Sequence, residues 1–242
     1  MKKEIIQGDC LEVMKDISDK SIDMILCDLP YGTTACKWDT IIPFEPLWEQ
    51  YKRIIKDNGA IVLTASQPFT SALVMSNPDM FRYCWYWVKE QPINIMQIKK
   101  RAGKTVEEVC VFYSSQPTYN PQKTIHSGKK VTNKVKSGFG KLVDSGEKKP
   151  FEYKDDGTRF PTQVLRIQSE RLQGYLHPTQ KPVALFEYLI KTYTDEGDLV
   201  LDNCAGSGTT GVACRNLGRN YILIEKEPKY VEIINKRLTP LK

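Results

Sequence analysis

The chain has 242 residues, a formal net charge of +6, and 40% hydrophobic against 26% charged residues, enough length for one large domain or one domain with an insert. It contains no apolar run of transmembrane length, Met1-Lys2-Lys3-Glu4 leads toward a strand rather than a signal sequence, and seven scattered cysteines make no CxxC pair. A membrane protein, a disulfide scaffold and a structural metal site are disfavoured, and a soluble cytoplasmic protein is expected.

Residues 4–7 read as a short strand ending at Gly8-Asp9, 10–16 as a short helix, and 22–27 as a buried, apolar parallel strand. A helix over 44–56 carries Leu47, Tyr51, Ile54 and Ile55 on one face, and Asn58-Gly59 is expected to close it. A buried strand at 60–64 and a helix at 68–76 follow. Residues 81–88 and 107–113 have strand character and suit an antiparallel edge hairpin.

The polar stretch 115–172 breaks this alternation. It holds twelve Lys/Arg and six Asp/Glu, so it accounts for the whole net charge. Such a stretch is either a solvated loop or a phosphate-contacting region. After it come a helix at 182–193, a strand at 199–202, a helix at about 208–217, a strand at 221–224 and a helix at 228–238. Strands and helices that alternate in this way predict an α/β fold, with helices on both faces of a mostly parallel sheet.

Ligands of such sheets bind at the carboxyl ends of strands. Asp9, Asp28, Asp202 and Glu225 all fall there. One acid alone is most simply a loop cap, but four predict a shared crevice. Asp28-Leu29-Pro30-Tyr31 presents a carboxylate, carbonyls held by a proline, and a ring, which together form a clamp for a planar group with an exocyclic amine. Asp202-Asn203-Cys204-Ala205-Gly206-Ser207-Gly208-Thr209-Thr210 is a glycine turn entering a helix, and Glu225 ends the next strand, where an acid typically accepts from a ribose. Without GxGxxG or a Walker lysine, a nucleoside lacking phosphates is the better ligand.

These residues resemble the amino-methylating DNA methyltransferases that use S-adenosylmethionine. Asp28-Leu29-Pro30-Tyr31 is similar to their (D/N/S)-P-P-(Y/F/W) tetrapeptide, with Leu29 for the first proline. Residues 202–210 are similar to D-P-F-A-G-S-G-T-T, with Asn203 and Cys204 for Pro and Phe. His177-Pro178-Thr179-Gln180-Lys181-Pro182 resembles a further family motif. The tetrapeptide comes first and the cofactor loop last, the order of the beta group. The resemblance implies a permuted Rossmann-like methyltransferase sheet in which residues 1–114 form the catalytic half, 115–172 a target-recognition insert and 173–242 the cofactor half.

The same resemblance implies that Asp28, Leu29, Pro30 and Tyr31 are catalytic. Asp9, Cys10, Asp28, Thr179, Gln180, Lys181, Asp202, Cys204, Ala205, Gly206, Ser207, Gly208, Thr209, Thr210, Glu225 and Lys226 would hold S-adenosylmethionine, with Asp9 near its adenine, Glu225 at its ribose and residues 179–181 toward the methionine end. In the basic insert, Lys129, Lys130, Lys134 and Lys136 are candidates for contact with double-stranded DNA, and Trp38 is either a base contact or a core lid. Asp28 and the Leu29 carbonyl would each accept an amine hydrogen, Tyr31 would stack on a flipped base, and no metal is needed. An opening aspartate is usual for adenine-N6 enzymes and serine for cytosine-N4 enzymes, so N6 leads and N4 is the alternative. Glutamine methylation and a non-catalytic DNA-binding module are further readings. A homodimer and an accompanying restriction endonuclease follow by analogy only.

Overall fold

A computed structural model describes residues 2–33, 39–125, 133–135, 151–153, 156–168 and 180–239; for 133–135 and 151–153 only the backbone is described. Two compact units form: residues 1–120 with 163–242, and residues 121–162.

In the larger unit, β1 (Lys3–Gln7), α1 (Cys10–Met14), β2 (Ile22–Asp28), α2 (Phe44–Ile54), β3 (Ile55–Ala65) and α3 (Phe69–Ser76) alternate, followed by β4 (Phe81–Val88) and β5 (Val106–Phe112). In the smaller unit, β6 (Thr124–Ile125) pairs antiparallel with β9 (Thr158–Arg159), and β7 (Asn133–Val135) with β8 (Phe151–Tyr153). The chain returns through β10 (Val164–Arg166), α4 (Val183–Tyr193), β11 (Leu199–Asp202), α5 (Thr209–Asn216), β12 (Asn220–Glu225) and α6 (Pro228–Leu238).

Among the described residues, eight strands make one sheet in the order β1-β12-β11-β2-β3-β5-β4-β10, and only β5 runs against the rest. The α/β architecture expected from the sequence is therefore present. β5 enters beside β3, and β10 adds parallel to β4 as the outermost strand. The sequence does not announce β10, because Val164-Leu165-Arg166 is three residues in a polar stretch and only Leu165 is buried.

Both faces of the sheet are covered, which explains the unbroken apolar runs. On β2, Ile25 and Cys27 join the core under α1, α2 and α3, packing with Met14, Leu47, Tyr51 and Phe69. Met24 and Leu26 point the other way, into a core built on α4, α5 and α6 with Phe186, Leu189, Ala213 and Ile234.

One expectation is overturned. Asn58-Gly59 does not close α2, since the helix stops at Ile54 and Ile55 is already extended. The β2–β3 register then jumps from Ile22↔Ile55 to Met24↔Ala60, so residues 56–59 bulge within β3. Gly59 serves a close approach: a Cβ there would lie 2.7 Å from the Ile55 side chain and 2.9 Å from the Asp23 carbonyl oxygen.

Candidate active site

The parallel register carries four neighbouring strands to one edge, and each delivers an acid there. Asp28 ends β2, Asp202 ends β11, Glu225 ends β12, and Asp9 follows β1. All four line one cavity of about 380 Å³, together with Leu29, Pro30 and Tyr31 on one side and residues Asn203 to Ser207 on the other. The two distant turns, at residues 28–31 and 203–207, thus share a crevice.

Asp28 is the most heavily engaged group in it. The Lys181 ammonium lies 2.7 Å from each carboxylate oxygen, the Tyr31 hydroxyl donates to Oδ1 at 2.7 Å, and the Thr64 hydroxyl donates to the same oxygen. Tyr31 Oη also lies 2.9 Å from Thr64 Oγ1. Lys181 is only 7% exposed. Burial alone would lower its pKa, but the charges and hydrogen bonds of Asp28 and Glu107 outweigh that and raise it, so it is a fixed cation. Glu107 Oε2 stands 3.7 Å from Lys181, and Oε1 pairs with Lys89. The result is a chain of alternating charge: Lys89, Glu107, Lys181, Asp28.

The Tyr31 ring stacks on Phe69, with centroids 5.2 Å apart and planes 27° apart, and the Lys181 ammonium is 5.4 Å from the ring centroid. Burial, then the Asp28 charge, pushes the Tyr31 hydroxyl well up, so it stays a donor.

The glycine turn is held by the other acids. Glu225 accepts from the Gly206 amide at 2.7 Å and the Glu227 amide at 2.8 Å. Its carboxylate thus shapes the turn while still lining the cavity. Asp202 accepts from the Cys204 amide at 3.1 Å and from the Thr210 hydroxyl, and burial pushes its pKa up to about 7. Asp9 caps α1 through the Leu11 amide at 3.1 Å and faces Lys226 at 3.2 Å. Gly206 and Gly208 have φ of 53° and 81°, in the left-handed region that favours glycine. Gln180 joins the turn by accepting from Ser207 Oγ at 3.0 Å, and the Lys181 carbonyl accepts from Thr209 Oγ1 at 3.4 Å.

Among the remaining expected cofactor residues, Cys10, Ala205, Ser207, Thr209 and Lys226 line the cavity. Cys10 meets Cys204, and that contact together with burial pushes its thiol pKa up, so it stays protonated and inert. Gly208 and Thr210 are not among the lining residues: a Cβ added at Gly208 would lie 3.1 Å from the Ile234 side chain, and Thr210 is fully buried with its hydroxyl donating to Asp202. Thr179, Trp38, Lys129, Lys130 and Lys136 lie outside the described residues, as does the side chain of Lys134.

No motif or spacing along the chain pointed to Thr64, Glu107, Lys89 or Asp39. Thr64 sits opposite Asp28 in the β2–β3 register, and Asp39 accepts from the Gly32 and Thr33 amides at 2.8 and 2.9 Å, fixing the chain beyond the tetrapeptide. Alignment of adjacent strand ends could have found Thr64. The others are joined only by folding.

The donor set fits S-adenosylmethionine. Asp9, Asp202 and Glu225 make a floor of acceptor oxygens that suits hydroxyls and amines, and the volume lies within the usual range for small-molecule sites.

The sequence profile of the DNA methylase family, the N6/N4 amino-methyltransferases, matches residues 22–236. The chain is 30% identical to the type II methyltransferase M2.MboI of Moraxella bovis, over 98% of this chain and 89% of that one. It is 28% identical to the DNA adenine methyltransferase YhdJ of Escherichia coli K12, over 98% of this chain and 82% of that one. Among solved structures, the M1.HpyAVI–SAM complex superposes with a TM-score of 0.66 at 26% identity, covering 98% of this chain and 99% of that one. The cytosine-N4-specific PvuII DNA methyltransferase shares the fold, with a TM-score of 0.71 at 17% identity over 99% of this chain and 87% of that one. A profile match that runs from β2 into α6 and takes in both turns has one meaning: this chain belongs to the DNA methylase family of amino-methyltransferases.

Proposed function

We propose that this protein is a site-specific, S-adenosylmethionine-dependent DNA methyltransferase acting on the exocyclic N6 amine of adenine. The observation that carries this reading is the single cavity shared by the Asp28 carboxylate and the Ala205–Ser207 turn. S-adenosylmethionine, when bound, supplies an activated methyl group. Asp9, Cys204, Ala205, Gly206, Ser207 and Glu225 are the residues that would hold it.

The chain's own part is to prepare the nucleophile. An exocyclic amine is weakly nucleophilic because its lone pair is delocalised into the ring. A carboxylate accepting one amine hydrogen and the Leu29 carbonyl accepting the other favour a pyramidal nitrogen with its lone pair outward. Thr64 and Tyr31 fix Oδ1 of Asp28 by hydrogen bonds, so the acceptor is preorganised. Lys181 occupies both oxygens; an arriving amine shares Asp28 with it or displaces it toward Glu107, 3.7 Å away. Leu29 and Phe186, both buried, form apolar wall and limit water at the clamp. The substrate base must leave the duplex stack to enter, at a cost of a few kcal/mol.

Residues 115–172 are the proposed target-recognition region, with Lys129, Lys130, Lys134 and Lys136 as phosphate contacts and Trp38 beside the base. The type II methyltransferase names of the relatives support a modification enzyme; action on double-stranded DNA, in the cytoplasm and beside a restriction endonuclease, extends the same proposal. The test is mass spectrometry of nucleosides after incubation of unmethylated DNA with labelled S-adenosylmethionine. N6-methyladenine is expected. N4-methylcytosine in its place would move the enzyme to the cytosine group, and no methylated nucleoside would remove the reading.

A further inference from the structure

The link between β4 and β5 has a composition that neither the core nor the cavity uses. Residues 89–105 read Lys-Glu-Gln-Pro-Ile-Asn-Ile-Met-Gln-Ile-Lys-Lys-Arg-Ala-Gly-Lys-Thr, with five cations and one acid. Ile93, Ile95, Met96 and Ile98 are all exposed, and Met96 is 97% so. Isolated exposed hydrophobics are ordinary, but four within six residues are not.

The segment holds its shape. The Lys89 amide donates to the Thr105 carbonyl at 2.7 Å, and the Ile93 amide to the Lys104 carbonyl at 3.0 Å. Asn94 cross-links the two arms, its Oδ1 accepting from the Lys104 amide at 2.6 Å and its Nδ2 donating to the Ala102 carbonyl at 3.0 Å. A 3-10 turn, Ile95–Gln97, then lifts Met96 to the tip. The apolar side chains are therefore displayed on a fixed frame. Lys89 is spoken for by Glu107 and the Trp87 ring, but Lys99, Lys100 and Arg101 pair with no carboxylate among the described residues.

Its position matters as much as its content. Asp28, Thr64, Val109 and Trp85 form one row across β2, β3, β5 and β4, and β4 runs parallel to β2. The loop thus leaves the sheet at the same edge as the tetrapeptide. Three strand spacings across and three residues along put its base about 17 Å from Asp28, which is about five base-pair steps.

We infer that this loop is a DNA-docking element, with Met96 and its isoleucine neighbours wedged against base steps while Lys99, Lys100 and Arg101 take phosphates. Duplex DNA fits the charge: lysine is depleted at protein–protein interfaces, whereas apolar wedges flanked by cations suit a kinked duplex. The inference rests on the reading of this protein as a DNA methyltransferase and adds a second contact region to it.

The experiment titrates a labelled duplex oligonucleotide against the full-length protein at several salt concentrations, with S-adenosylmethionine binding as the folding control. The combined variant Lys99→Ala, Lys100→Ala, Arg101→Ala is expected to weaken binding at least roughly tenfold and to flatten the log–log salt slope by about 2.7. Met96→Ser is expected to weaken binding at unchanged slope, because it changes no charge, whereas Met75→Ala, an exposed methionine on α3, leaves binding unchanged. Wild-type affinity and slope in both loop variants overturns the inference, as does a loss of binding accompanied by conversion of a dimer to a monomer at unchanged slope, which assigns the loop to a second copy. Wild-type protein that methylates DNA while the loop variants behave normally sinks this inference alone. Wild-type protein that neither binds nor methylates DNA sinks the methyltransferase reading as well.

Discussion

Lys181 and Asp28, 153 positions apart in the chain, form a two-oxygen ion pair at 2.7 Å within the candidate active site. Such a pair does not by itself add stability, since two charges lose their hydration to make it, but breaking it from one side leaves an uncompensated charge in the interior. Asp28→Ala is therefore expected to abolish methyl transfer, retain S-adenosylmethionine binding, and lower the unfolding free energy by about 3 kcal/mol. Adding Lys181→Met to that variant should recover most of the stability without turnover. Denaturant unfolding and a methyl-transfer assay check both halves, and unchanged turnover in Asp28→Ala would remove the tetrapeptide from the mechanism.

Tyr31 contributes a ring and a hydroxyl, and these separate. Tyr31→Phe keeps the stacking on Phe69 but frees Asp28 Oδ1 and Thr64 from its hydroxyl. A net hydrogen bond to a charged group is worth about 1.5–3 kcal/mol, so kcat should fall roughly ten- to hundredfold with little change in cofactor affinity. Tyr31→Ala should lose more. Equal kcat in the phenylalanine variant and the wild type would show that the hydroxyl does not position the carboxylate.

Glu225 is predicted to act on cofactor affinity through the Gly206 amide. In Glu225→Ala that amide and the Glu227 amide both lose their acceptor. An unsatisfied buried donor costs about 1–3 kcal/mol, so S-adenosylmethionine binding measured by calorimetry should weaken roughly tenfold or more. Glu225→Gln retains an acceptor oxygen and should recover much of the loss.

Asp202 gives a pH signature of defined sign. Burial raises its pKa from the ordinary 3.8 to about 7, so between those values the folded protein holds a proton that the unfolded chain has released. Stability from this group therefore falls as pH rises from about 4 to 7 and levels off above. Asp202→Asn removes the dependence. The variant should unfold at a higher temperature than the wild type at pH 8, by an amount worth a few kcal/mol, and the gap should close near pH 4. A constant gap across that range would contradict the assignment.

Much of the architecture was legible because its signals are local. The runs at 22–27, 60–64 and 199–202 are apolar on both sides of the strand, and such runs mean a parallel sheet buried on both faces. The left-handed glycines of residues 206–208 and the proline of the tetrapeptide mark turns where ligands approach backbone. Asn58-Gly59 misled, since a glycine kept for close approach to Asp23 looks in sequence like one kept to end a helix.

Hydrophobic periodicity along the chain was enough to put Asp9, Asp28, Asp202 and Glu225 at strand ends, because it sets where strands stop. What those carboxylates hold emerges from folding. Strand order brings β11 beside β2, and α4 begins close enough to lay Lys181 on Asp28; contacts across such separations depend on how elements pack, and no spacing along the chain encodes them. The exposed loop at 89–105 belongs to the same class, because an isoleucine–methionine run reads as core until the sheet edge shows which side of it faces water.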